Sequence, residues 1–95
     1  MKKSRNVDLP DGHLAGEAMR KVVRTQIRIN EPPQTGQAYR RLKGQGYSAA
    51  EAVELIAAVL CAEIFYMLSE KGEHDPARYA TMLMRLPELP PDSDA

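Results

Sequence analysis

Residues 48–72, SAAEAVELIAAVLCAEIFYMLSEKG, decide the fold. The stretch opens on Ser48-Ala49-Ala50-Glu51, a capping box in which the Ser and Glu side chains each satisfy one orphan N–H of a helix start. It closes on Lys71-Gly72, where the glycine predicts a left-handed residue just past the helix end. At about 100° per residue, Val53, Ile56, Ala57, Leu60, Ile64, Met67 and Leu68 form one apolar face, and Leu55, Val59, Ala62 and Tyr66 form a second. A helix apolar on most sides belongs at the centre of a domain or in a subunit interface.

Outward from this rod the pattern stays helical. Downstream, Asp75-Pro76 reads as an N-cap followed by a proline at the first helical position; the helix runs to Pro87 with a Tyr79, Met82, Leu83, Leu86 stripe. Upstream, a short helix over about Pro33 to Lys43 presents Ala38, Tyr39 and Leu42 and is stopped by Gly44-Gln45-Gly46. Those glycines do not make a phosphate loop, because no strand precedes them and no Lys-Ser/Thr follows. A first helix runs from about Asp11 to Asn30, with Asp8 or Asp11 as its N-cap. Its buried arc is expected to hold Leu14, Ala15, Ala18, Met19, Val22, Val23 and Ile29, opposite Glu17, Arg20, Lys21, Arg24 and Arg28. Asn30-Glu31-Pro32-Pro33 ends it, since a residue before proline is pushed out of the α region. No period-2 alternation of the kind a strand needs is present. The expected fold is an all-α bundle of three to four helices around a long central hydrophobic helix. It forms one domain, 11–86, between an N-terminal tail, 1–10, and a Pro-rich acidic tail, 87–95.

The chain is 43% hydrophobic and 27% charged, a composition that predicts a globular chain rather than a disordered one. Aromatics are few and Trp is absent, so aliphatic side chains and the methionines must fill the interior. One cysteine, Cys61, excludes an internal disulfide and points to a reducing, cytoplasmic location; its place in an apolar run predicts a core thiol. The basic start is followed by no apolar signal region. The longest purely apolar run, Leu55 to Ala62, is well short of the roughly 20 residues that a membrane span needs. Net charge is zero but divided: residues 1–46 carry ten Lys/Arg against four Asp/Glu, residues 47–95 three against nine. Basic early helices can therefore dock on acidic later ones, within a subunit or between two.

Two polar residues fall inside apolar arcs: Gln26 on the first helix and Glu63, between Val59 and Tyr66, on the third. A carboxylate in a low-dielectric interior must be paired, hydrogen-bonded or protonated, so this polar cluster is either a satisfied core contact or the lining of a site. His13 and Glu17, four apart on one helix, offer two metal ligands; a third would have to come from His74. Arg20, Arg24 and Arg28 form a basic ridge, extendable by Arg40, Arg41 and Lys43, that can neutralise phosphates. Zero net charge and a pI near 6.7 argue against nucleic acid, as does the lack of interleaved aromatics for stacking. No nucleophile–base set stands out, and no catalytic residue, cofactor or metal ligand set is assigned.

His13, Gln26-Ile27, Asn30-Glu31-Pro32-Pro33, Ala38-Tyr39-Arg40-Arg41-Leu42, Ser48, Glu51-Ala52, Gly72, Asp75 and Tyr79 together resemble small bacterial all-helical domains of unknown function. Those domains are built around Q-I-x-x-(N/D)-x-P-P, then E-R-L and a long helix. Where they read Glu-Arg-Leu this chain has Arg40-Arg41-Leu42, reversing one charge. The resemblance implies a compact helical domain and no particular activity; because its pattern includes Gln26, it also implies a structural role for that amide.

The leading functional expectation is a non-enzymatic interaction module that self-associates as a dimer through the third and fourth helices. A nucleic-acid-binding domain using the basic ridge and a metal-dependent enzyme are the alternatives.

Overall fold

The computed structural model of the chain describes residues 13–69 and 72–90. The expected tail 1–10, the caps at Asp8 and Asp11, residues 91–95 and the side chains of His13, Leu14 and Ala15 lie outside the described residues. Four helices follow one another: α1 His13–Ile29, α2 Pro33–Gly44, α3 Ala49–Ser69 and α4 Pro76–Arg85, with no strand among the described residues. The other three all pack on α3, and α2 also touches α1 and α4. The fold is the all-α bundle with a long apolar central helix that residues 48–72 predict.

Local chemistry sets each boundary. At the start of α3 the Ser48 N–H donates to Glu51 Oε1 at 2.8 Å and the Glu51 N–H to Ser48 Oγ at 3.0 Å, completing the capping box. Asp75 Oδ1 accepts from the N–H groups of Ala77 at 3.0 Å and Arg78 at 3.3 Å, so α4 starts as its Asp-Pro predicts. The end of α1 is more than a proline effect. Asn30 adopts φ 58°, and the Asn30 and Glu31 N–H groups return to the carbonyls of Ile27 and Gln26, which is a Schellman motif. Gly46, at φ 104°, supplies the left-handed turn between α2 and α3. Gly72 does not take the left-handed conformation expected of it; its N–H reaches back to the Met67 carbonyl at 3.1 Å. At the end of α4 the Leu83 carbonyl accepts from the Leu86 N–H at 3.3 Å, and carbonyls there have no further helical donor. They are closed from α2, where Arg41 Nη2 donates to Leu83 O at 3.0 Å and Leu86 O at 2.9 Å.

Val23 from α1, Ala38 and Leu42 from α2, Ile56 and Val59 from α3, and Tyr79 and Leu83 from α4 form the centre of the core. Three apolar expectations shift in the folded chain. The α1 stripe is centred on Val23 with Met19 and Ile27 partly buried beside it, while Ala18, Val22 and Ile29 face solvent. Val22 and Ile29 each lie roughly 100° or more round the helix from Val23, outside the arc that α2 and α3 cover. On α3 the buried face stops short of Leu68, which is 75% exposed. Beyond α4, Leu86 is buried, Leu89 packs on the core and Pro90 is buried, so packing continues to residue 90, past the expected boundary at 86. Among the described residues α3 alone is long and apolar enough to cross a bilayer, contrary to the expectation from its apolar run; here 56% of that window is buried inside the bundle.

Candidate functional site

The second half of α3 has two unlike sides. Cys61, Phe65 and Leu68 lie within about 60° of one another round the helix. All three are exposed, Phe65 to 55%. Glu63 points the opposite way and is 1% exposed. On that buried side its carboxylate is fully engaged. Oε1 accepts from Arg78 Nε at 2.7 Å, and Oε2 accepts from Arg78 Nη2 and the Asp75 N–H, both at 2.9 Å. His74 Nδ1 lies 3.0 Å from the same Oε2. The Arg78 fork is thus bidentate, the strong form of such a pair. Its guanidinium also sits 4.9 Å from the centre of the Tyr66 ring, within cation–π range. One carboxylate therefore staples the loop before α4, and the first turn of α4, to the flank of α3. The far flank is left to solvent on a helix held from behind.

Burial by itself would raise the Glu63 pKa, but the hydrogen bonds from Arg78, Asp75 N–H and His74, with the Arg78 charge, outweigh it and hold the carboxyl below its ordinary 4.5. A folded-state value below the unfolded one means that Glu63 stabilises the fold fully above about pH 4.5. That contribution is lost as pH falls through the lower folded value. Thermal unfolding followed between pH 6 and pH 3 is expected to show a steeper fall for the natural chain than for Glu63→Gln. Equal slopes would exclude Glu63 as a source of acid sensitivity.

Gln26 forms a second node rather than joining the first. Its Oε1 accepts from Thr35 Oγ1 at 2.8 Å and from the Tyr79 hydroxyl at 2.9 Å, linking α1, α2 and α4 at one atom. Burial pushes the Tyr79 phenol up in spite of these bonds, so it stays protonated as a donor. The two nodes adjoin: Arg78 and Tyr79 are consecutive, and the His74 ring meets the Tyr79 ring edge-on at 6.0 Å. Both are satisfied structural contacts.

The basic ridge is divided by the fold. Arg20 is committed to Glu17 at 2.9 Å and to Glu54 at 2.8 Å, the one place where the basic first half of the chain meets an acidic residue of the second among the described ion pairs. Arg24 reaches Glu17 only at 3.6 Å, and Arg28 lies exposed in the last turn of α1. Arg41, a candidate extension of the ridge, caps α4 instead. Glu17, the proposed partner of His13 on a metal, is occupied by the two arginines, and no group of three or more His, Cys, Asp or Glu is placed to hold a metal among the described residues. Cys61 is not the core thiol its surroundings predict. It is exposed, although partial burial pushes the thiol above its ordinary value, away from reactivity.

No protein family, curated protein or solved structure matches this chain. Function is therefore read from the geometry of α3.

Proposed function

We propose that the chain is a cytoplasmic, non-enzymatic helical module that self-associates as a dimer through the exposed arc of α3. The observation that carries this reading is that Phe65 and Leu68, with Cys61 beside them, stand in water on one arc of the most apolar helix while Glu63 fixes the opposite side. Large apolar side chains grouped on a rigid helix face mark a contact surface more than a solvated one. A two-fold contact is self-complementary, and an antiparallel crossing near Phe65 sets Cys61 of each copy against the Leu68 side of the other.

Magnitudes set the strength of such a contact. Fully burying a Phe or Leu side chain contributes about 1.5–3 kcal/mol, and Phe65 and Leu68 are already partly covered, so the four side chains of two copies give a gross ~5 kcal/mol. Association costs at least ~4 kcal/mol and a micromolar Kd needs a net of about −8 kcal/mol, so a micromolar dimer takes most of its burial from rim contacts around Phe65 and Leu68. Sedimentation equilibrium is expected to show mass rising from monomer towards dimer across the micromolar range. Phe65→Glu/Leu68→Glu should stay monomeric with an unchanged helical spectrum. A natural chain that remains a compact monomer at high micromolar concentration, or a double variant that still dimerises, would overturn the reading.

A further inference from the structure

We propose that the groove between α1, α2 and the start of α3 is a binding site for a small organic carboxylate with an apolar body. The groove has a volume of about 270 Å³. At ~30 Å³ for each water-sized group this is room for roughly nine, the scale of a metabolite fragment rather than of a helix or a nucleotide. Ile27, Tyr39 and Val53 supply apolar walls from three different helices, and Ala50 leaves the space open because its side chain is only a methyl group. None of these residues belongs to the arc at 61, 65 and 68, so the site is independent of self-association.

The rim decides the charge of the ligand. Arg20 and Glu54 both line the groove, but they are bonded to each other at 2.8 Å, and Arg20 is further held by Glu17. Arg24 is different. It lines the groove, its side chain is 52% exposed, and its one ion-pair contact lies 3.6 Å from Glu17 Oε2, longer than a hydrogen bond. Glu17 already accepts from Arg20, so Arg24 can turn its planar fork to an incoming carboxylate and grip it bidentately at little loss. Lys43, 5.4 Å from the centre of the Tyr39 ring, adds positive potential beside the same wall. A carboxylate held by Arg24 places an apolar tail between Ile27, Tyr39 and Val53. A cation would meet two arginines against one glutamate already neutralised.

The test uses 4-phenylbutyrate as probe, its uncharged analogue 4-phenylbutan-1-ol, and amide chemical-shift titration of the whole chain. Saturable shifts confined to residues around the groove are expected with the acid at low millimolar concentration. The alcohol and the Arg24→Gln variant should each bind about tenfold more weakly, the loss of one charge-assisted pair at a partly exposed site. Ala50→Leu, which fills the groove and suits a helix, should abolish the shifts while leaving the spectrum of the remaining residues in place. Absence of saturable shifts in the natural chain, or equal affinity for acid and alcohol, would overturn the proposal. So would unchanged binding by Ala50→Leu.

Discussion

Glu63→Ala is expected to lower the unfolding free energy by about 2–3 kcal/mol, less than the full cost of breaking a buried ion pair because the Arg78 left behind is about a third exposed. The substitution strands the Asp75 N–H and the Arg78 fork, which the natural carboxylate satisfies at 2.7–2.9 Å, and it opens a cavity beside α3. In a domain whose whole stability is of order 5–10 kcal/mol, that leaves a largely unfolded population under mild denaturant. Removing the other partner should be as costly, because Arg78→Ala leaves a carboxylate at 1% exposure without its guanidinium. The double replacement Glu63→Leu/Arg78→Leu is expected to recover much of the loss, since neither charge is then buried alone. Urea unfolding of the four proteins compares these losses directly. A single-variant loss under ~1 kcal/mol would show instead that the pair behaves as an ordinary surface salt bridge.

Gln26→Leu is expected to cost about 2–3 kcal/mol, although leucine suits both the helix and the apolar stripe. The reason is that one amide oxygen serves two hydroxyls, those of Thr35 and Tyr79. Each orphaned hydroxyl costs on the order of 1–3 kcal/mol when buried. Thr35 is 0% and Tyr79 2% exposed, so neither can turn to water without opening the core. Adding Thr35→Val and Tyr79→Phe to Gln26→Leu should restore part of the stability by removing the stranded groups, a coupling that a triple-mutant comparison in urea reads directly. A neutral or stabilising Gln26→Leu would mean the amide is dispensable. The helices α1 and α4 do not otherwise pack on one another among the described residues, so the same variant should also loosen α4 preferentially in hydrogen exchange.

The architecture was legible where it rests on local chemistry. Ser48 and Glu51, or Asp75 and Pro76, act on backbone groups within three residues, so their meaning does not depend on the rest of the fold. Gln26 and Glu63 were legible as oddities because polar groups on apolar arcs break a helical period. Their partners were not. Thr35, His74, Arg78 and Tyr79 lie between 9 and 53 residues away along the chain and are brought in only by packing.

The expected placement of Val22, Ile29 and Leu68 failed for a related reason. Periodicity says which residues share a side, but the length and crossing of the neighbouring helices decide how much of that side is covered. Gly16 and Arg20 fall on the partly buried side of α1 and would never be chosen by hydrophobicity; Arg20 is held there by Glu54. Arg41 reads as one more surface cation until its two carbonyl acceptors at the end of α4 are seen. Cys61 looked buried because its neighbours in sequence are apolar, whereas its own direction from the helix axis is the one left open.

Helix α3 is a core helix along its first two thirds, and the proposed dimer uses the exposed side of its last third as a contact surface. Amide hydrogen exchange of α3, compared at low and high protein concentration, tests it most directly. Slow exchange is expected from Val53 to Glu63 at both concentrations, with protection from Ile64 to Ser69 that increases as the protein is concentrated. Fast exchange throughout α3, or a C-terminal third indifferent to concentration, would contradict it.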